Sequence, residues 1–339
     1  MFSTLTTSII GFTIAAAVIV TAGSRLARVA DELADRTGLG EALFGIFLLA
    51  GVTSLPDFAA TLSAALDSRP DLAMSNIMGS MAANLVFLGI ADVIYRKANL
   101  EHAAASPTNL MLAALLIALL ALPLLAIGSP AISVWGIHPV TPVIAAAYLF
   151  GMYLVRSTDN KPMWFPRLTR QTVPDKPAHY LHGGLAQAWL SFTALAAVTG
   201  IAGWVLMEGA KVISDETGLS ETLIGGLFTA LATSSPELIT TIAAIRTGAL
   251  TLAVSNIFGT NCFNMLVVAS ADIAYPDGSI YHDIAPIQMT WGLISILMTA
   301  ILLMGMVLRQ RYGIGRIGFE SALILAVYTA TLAIVMANG

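Results

Sequence analysis

Apolar residues gather along this chain in ten runs separated by short polar stretches. The runs lie near residues 6–23, 42–65, 73–95, 108–128, 134–155, 184–207, 222–245, 250–271, 286–308 and 317–337. Each is long enough, at roughly 20 residues, to cross a hydrocarbon layer of about 30 Å as a helix. The pattern predicts an all-α polytopic membrane protein with ten transmembrane helices. Polar residues break into the middle of the second and seventh runs, at Thr53–Asp57 and Thr233–Glu237.

Composition agrees with lipid as the solvent. The 339 residues are 57% hydrophobic and 11% charged, with a mean hydropathy of +0.82, leaving too little polar surface to cover a water-soluble fold. The net charge of −4 is small and dispersed, which argues against a nucleic-acid partner. One cysteine, Cys262, excludes an internal disulfide and most cysteine-based metal sites, and reads as a small packing residue. No basic region precedes the first run and no clear cleavage site follows it, so Met1 to about Ala22 reads as a retained helix. His102, His138, His179, His182 and His282 fall in or beside loops without metal-ligand spacing and read as solvated. Trp135 and Tyr153 suit interfacial anchoring.

Charge sets the expected orientation. The links after the first, third, fifth, seventh and ninth runs carry 14 of the 16 Lys and Arg, the exceptions being Arg69 and Lys211. The positive-inside rule then expects both termini outside and the central link in the cytoplasm of an inner (plasma) membrane protein.

Sliding the chain along itself by 180 residues places Asp57 on Glu237. Gly51–Tyr95 then overlies Leu231–Tyr275 without a gap, with 15 of the 45 positions identical, many of them polar. Upstream, TGLGEALFG from Thr37 pairs with TGLSETLIG from Thr217. Five runs per copy is an odd number, so the second copy enters the membrane from the opposite side. The expected organisation is a first five-helix repeat over 1–155, a cytoplasmic linker over 156–183 and an inverted second repeat over 184–339. Inverted repeats of this kind place a substrate near the midplane and exchange inward-like and outward-like conformations.

Asp57 and Glu237 lie near the middle of their runs, where an ionised side chain costs at least about 2.5–3.5 kcal/mol. No Lys or Arg lies at matching depth, so the two acids call for a cation. Pro56 and Pro236, lacking an N–H, should release carbonyls near Val52 and Thr53 and near Ala232 and Thr233, oxygen ligands that suit a hard cation. Ser54, Ser234 and the Thr53 and Thr233 hydroxyls add neutral oxygens, although such hydroxyls commonly bond back to their own helix. In the third and eighth runs, Asn76, Ser80 and Asn84 recur four residues apart, as do Asn256, Thr260 and Asn264, so each set forms a polar stripe on one helix face. Helix-to-helix hydrogen bonding is the competing use of those stripes, and close packing that of Gly79 and Gly259. Asp92 and Asp272 also match across the copies but stand at run ends, which favours a helix-end or loop contact.

The paired stretches resemble the two alpha-repeats of the cation/Ca²⁺ exchanger superfamily, whose best-known branch is the Na⁺/Ca²⁺ exchangers. That family carries G-T-S-x-P-E in one helix and G-N-x-x-G-S-N-x-x-N/D in the next. The resemblance implies that Asp57 and Glu237 are central Ca²⁺ ligands beside the Thr53 and Thr233 carbonyls. It further implies that Ser54, Ser80, Asn84, Ser234, Thr260 and Asn264 help form flanking Na⁺ sites. The chain departs from the family pattern at Asp57, where Glu is usual, at Met81, where Asn is usual and Asn261 keeps it, and at Ser75 and Ser255, where Gly is usual. Val52 stands inside the compact G-T-S, and the second copy reads LATS.

The function expected on these grounds is secondary antiport of Ca²⁺ for Na⁺ by alternating access, with no cofactor and the lipid bilayer as surroundings. The alternative is exchange of Ca²⁺ or another divalent ion for H⁺. A channel gains little from inverted repeats. An intramembrane protease fits poorly, because neither acid stands in a Gly-x-Gly-Asp or Tyr-Asp context and no His lies deep enough to activate Ser54 or Ser234.

Overall fold

The computed structural model describes residues 4–37, 44–95, 98–160, 184–311 and 317–338, with Phe2 and Gly313. The described residues are nearly all helical, with one isolated bridge between Val134 and Ile137. The first half contains α1 (Leu5–Val18), α2 (Ser24–Thr37), α3 (Phe44–Thr53), α4 (Leu55–Leu66), α5 (Pro70–Tyr95), α6 (Leu100–Ala104), α7 (Pro107–Gly128) and α8 (Val140–Asn160). The second contains α9 (Leu185–Thr217), α10 (Glu221–Leu223), α11 (Ala230–Thr233), α12 (Ser235–Thr247), α13 (Leu250–Ala274), α14 (Ile280–Asp283), α15 (Ile287–Leu308) and α16 (Phe319–Asn338). Among the described residues eight helices are long and apolar enough to span a membrane. A ninth results if Glu221–Thr233 and Ser235–Thr247, bent by 44°, make one broken span. The remaining expected span, 42–65, corresponds to α3 and α4, and residues 38–43 before it lie outside the described set, as does 161–183 of the expected linker.

Three expected boundaries shift for physical reasons. The first run does not stop at 23: a π turn over Ile19–Gly23 carries α1 straight into α2, so Arg25 and Arg28 lie on a helix instead of a link. Leu26, Ala30 and Leu33 recur at helical spacing and are buried, which keeps the amphipathic α2 packed while Arg25 and Arg28 face outward. The sixth run likewise extends to Thr217, ending where Gly218 adopts φ +70°. The fifth begins at Val140 because Trp135 and Gly136 both take positive φ in a tight turn closed by the 134–137 bridge. Trp135 at its tip and Tyr153 are exposed.

α5 and α13, the equivalent third helices, form the centre: 83% of the most apolar window of each is buried, against 22% for the N-terminal span. Contact between the halves is closest at small residues. A Cβ on Gly79 of α5 would lie 2.5 Å from the Gly226 carbonyl oxygen, so these backbones meet directly. A Cβ on Gly203 of α9 would lie 2.4 Å from the Pro56 carbonyl oxygen, and one on Gly23 would lie 2.6 Å from Pro236 Cγ. Residues 23 and 203 are equivalent, as are 56 and 236. The first helix of each half therefore crosses the break in the other half's second helix.

The same exchange recurs at Asp92 and Asp272. Asp92 accepts hydrogen bonds from Leu100 N, Gly318 N and Ser321 Oγ, at 2.7, 3.0 and 2.9 Å. Asp272 accepts from Ile280 N, His138 N and Thr141 Oγ1, at 3.0, 2.9 and 2.5 Å. Every partner is the 180-residue counterpart of its fellow. Both aspartates are loop and helix-end clips, each fastening the start of the other half's last span. One expectation fails here: His138 is buried, not solvated, because Asp272 holds its backbone and its ring packs edge-on against Tyr281. Cys262 is buried and bonds to the Leu112 carbonyl, in keeping with a packing role.

Arg69 and Lys211, the two cations outside the five basic links, each pair with an acid of the other half. Arg69 meets Asp215 and Glu221, both at 2.7 Å, and Lys211 meets Asp67 at 2.5 Å and Glu208 at 2.7 Å. The two carboxylates hold the Arg69 guanidinium's proton more firmly than usual.

Candidate functional site

The i to i−4 ladder breaks at the two prolines. Ser54 N bonds to Ala50 O at 3.0 Å and the next bond runs from Phe58 N to Ser54 O at 2.8 Å, with Pro56 between them carrying no N–H. In the second half Ser234 N bonds to Ala230 O at 3.0 Å and Leu238 N to Ser234 O at 3.4 Å. Asp57 and Glu237 thus sit in the first turns of the short helices α4 and α12. A carboxylate there faces the positive end of the helix, which lowers the cost of its charge.

All twelve candidates are buried: Thr53, Ser54, Asp57, Asn76, Ser80, Asn84, Thr233, Ser234, Glu237, Asn256, Thr260 and Asn264. Ser80 joins the halves. Its hydroxyl donates to Asp57 Oδ1 at 2.7 Å, and its oxygen lies 3.4 Å from Thr233 Oγ1. The Thr233 hydroxyl in turn donates to Thr229 O at 2.8 Å, and that of Thr53 to Ala50 O at 3.3 Å. Both threonine hydroxyls thus bond back to their own helices. The serines behave differently, for Ser54 Oγ and Ser234 Oγ have no partner.

Unsatisfied oxygens concentrate on this set. Asp57 Oδ2, both carboxylate oxygens of Glu237, and the side-chain oxygens of Asn76, Asn84, Asn256, Thr260 and Asn264 lack any donor. A buried polar group left so costs about 1–3 kcal/mol, more if charged. The charges of Asp57 and Glu237 act on one another, and neither acid takes part in an ion pair within 4.0 Å among the described residues. Two buried acids ringed by neutral oxygens of both halves are an arrangement chemically suited to a positive ion. Among the described residues no three His, Cys, Asp or Glu converge as a metal cluster.

Part of the asparagine stripe does bond between helices, as its competing reading held. Asn76 Nδ2 donates to Thr61 Oγ1 at 3.0 Å and Asn256 Nδ2 to Thr240 Oγ1 at 3.4 Å, each a contact to the helix bearing the acid. Asn84 Nδ2 donates to Asn261 Oδ1, and Asn261 Nδ2 to Met81 O, both at 2.9 Å. Three residues here were not among the candidates. Asn261 spans the repeat interface, and Thr61 and Thr241 are buried one turn beyond the acids, with Thr241 Oγ1 unpartnered. The repeat carries the signal for the threonines, since 61 and 241 are identical and stand four residues after 57 and 237.

The family model described as "Sodium/calcium exchanger protein" matches residues 7–158 and again 187–337. The chain belongs to that family. As a member it is a multi-pass membrane exchanger and not an enzyme. This exchanger is 28% identical over 265 residues to the inner membrane protein YrbG of Escherichia coli K12, covering 78% of each chain. Its fold matches that of an H⁺/Ca²⁺ exchanger, CAX, with a TM-score of 0.70 at 13% identity, over 97% of this chain and 86% of the other. It also matches the sodium-calcium exchanger NCX_Mj, with a TM-score of 0.60 at 16% identity, over 97% and 99%. The two matching segments coincide with the two halves whose contacts repeat at an interval of 180 residues.

Proposed function

We propose that this exchanger carries Ca²⁺ in antiport with Na⁺, the ions taking turns at one midplane site between two inverted repeats. The observation that supports this most is the set of donor-less oxygens, above all Asp57 Oδ2 and both oxygens of Glu237. A divalent cation neutralises the pair, and hard oxygen ligands suit Ca²⁺. In this reading Asp57, Glu237 and the carbonyls of Thr53 and Thr233 hold Ca²⁺. The hydroxyls and amides of Ser54, Ser80, Asn84, Ser234, Thr260 and Asn264, with Asn76 and Asn256 behind them, serve Na⁺.

The repeats are 1–155 and 184–339, with 156–183 cytoplasmic and both termini outside, as the 14-to-2 charge split favours. Alternating access follows if the first helix of each half moves over the break it crosses, since Gly23 and Gly203 abut Pro236 and Pro56 without an intervening side chain.

Exchange against H⁺ is the second reading. Met81 favours it, because a thioether replaces an amide oxygen at one flanking position. Radiolabelled Ca²⁺ uptake into proteoliposomes separates the two. The first reading requires uptake driven by an outward Na⁺ gradient at equal pH on both sides. Uptake driven only by a proton gradient selects the second, and uptake driven by neither removes both.

A further inference from the structure

Two buried acids lie outside the cation site and no function so far uses them. Glu101 in the short helix α6 is 2% exposed and Glu320 in the first turn of α16 is fully buried, and none of their four carboxylate oxygens meets a donor. Asp92 draws their backbones together, since it accepts from Leu100 N beside Glu101 and from Gly318 N and Ser321 Oγ beside Glu320. The enclosure is built for this: a Cβ on Gly305 would lie 2.8 Å from Glu320 Cδ, and one on Gly318 2.7 Å from it. Only glycine at both positions leaves the slot that the carboxyl fills.

Among the described residues none neutralises the pair. Asp92 on α5 adds negative charge and spends its own oxygens on Leu100, Gly318 and Ser321. His102, beside Glu101, directs Nδ1 to Arg309 O at 2.7 Å, while the Arg309 guanidinium donates to His102 O at 3.0 Å and Arg311 O accepts from Asn99 N. α13, which also packs on α6, brings only Cys262 and, at its far end, Asp272 held by His138. α15 carries no ionisable side chain. Among the described residues the other titratable groups nearby are the Tyr95 and Tyr328 phenols on α5 and α16. Two carboxylates drawn together and buried in such a place do not both ionise. We propose that Glu101 and Glu320 hold one proton between them, and that this shared proton latches α6 to the start of the last helix. Burial foremost, then the charges of Asp92 and Glu320, push the Glu101 carboxyl well above its ordinary range.

The latch exists on one face only. The 180-residue counterparts of Glu101 and Glu320 are Tyr281 and Val140, and there the Tyr281 ring packs on His138 instead. The acid pair stands beside Arg309 and Arg311, on the face expected to be cytoplasmic, so the device senses protons on that side. It does not depend on which ions the central site exchanges.

Stability linkage tests it. A carboxyl whose proton is held more tightly in the folded state adds stability that is complete below about pH 4, near the unfolded carboxylate value. That stability is lost as the pH rises through the raised folded value. Thermal unfolding of the purified full-length protein in lipid nanodiscs, measured from acid to alkaline pH, therefore falls in midpoint for the wild type. Glu101→Gln and Glu320→Gln each keep one amide donor facing one carboxylate at every pH. Each variant should lose the equivalent of one proton from the slope and match or exceed the wild type at alkaline pH. The infrared band of a buried protonated carboxyl should weaken in both. An unchanged slope in either folded variant overturns the proposal, and so does failure of both variants to fold, since a neutral isostere preserves a shared-proton pair.

Discussion

Asn84 donates to the side-chain carbonyl of Asn261 at 2.9 Å, and the equivalent bond on the other side of the repeat interface is missing because the counterpart of Asn261 is Met81. Asn264, the counterpart of Asn84, accordingly has neither its amide nitrogen nor its oxygen satisfied. One substitution in one repeat therefore accounts for an asymmetry in a site that is otherwise duplicated.

Met81→Asn should supply Asn264 with that partner. The orphaned amide costs about 1–3 kcal/mol, so the variant should unfold at higher temperature than the wild type in the same detergent. Asn261→Met should do the reverse, freeing Asn84. A Met81→Asn protein less stable than the wild type, with Asn261→Met unchanged, would show that the pairing carries no energy.

Glu237→Gln should abolish Ca²⁺ transport and leave the protein folded, because removing a buried negative charge relieves its desolvation cost. Flux into proteoliposomes and elution from a sizing column measure the two parts. Wild-type Ca²⁺ flux by this variant is the result that removes Glu237 from the site.

Asp57→Glu should retain transport and bind Ca²⁺ more tightly, the longer acid reaching the ion directly, whereas Asp57→Asn should lose Ca²⁺ exchange. Overpacking around the added methylene works against this by about 1–3 kcal/mol. Calorimetric Ca²⁺ affinity at fixed Na⁺ and pH compares all three proteins. Equal affinities would mean that Asp57 is no ligand.

Gly203→Val should block exchange, since the added side chain meets the Pro56 carbonyl where α9 crosses the broken helix. Gly200→Val on the same helix is the control, because a Cβ there meets nothing within 4 Å. The crossing has no part in transport if both variants run at the same rate.

An impermeant thiol reagent applied to intact cells should label a cysteine at position 339 and not one at 161. Cys262 is fully buried and gives little background. The opposite labelling pattern would overturn the orientation and with it the inversion of the repeats.

The sequence alone determined a large share of this protein, for reasons specific to lipid. A helix in a bilayer must be apolar along its length, so every polar residue inside a run carries information. Asp57, Glu237 and the stripes at 76–84 and 256–264 were visible for that reason, and the 180-residue repeat identified which of them correspond. The clip role of Asp92 and Asp272 was legible in outline from their positions at run ends. Helix ends were less so, because Arg25, Arg28 and Lys211 look like link residues while amphipathic packing keeps them helical.

Tertiary structure decided everything that depends on contacts between the halves. Nothing local indicates that Ser80 bridges Asp57 and Thr233, that Gly23 and Gly203 back the opposite prolines, or that Asn261 reaches Met81 O. Glu101 stands in the link after the third run and Glu320 at the start of the tenth, 219 positions apart, and nothing in the sequence brings them together. Folding buries both, with Gly305 and Gly318 leaving room for the Glu320 carboxyl at the start of α16, and the cost of a buried charge is set by neighbours that only the fold assembles.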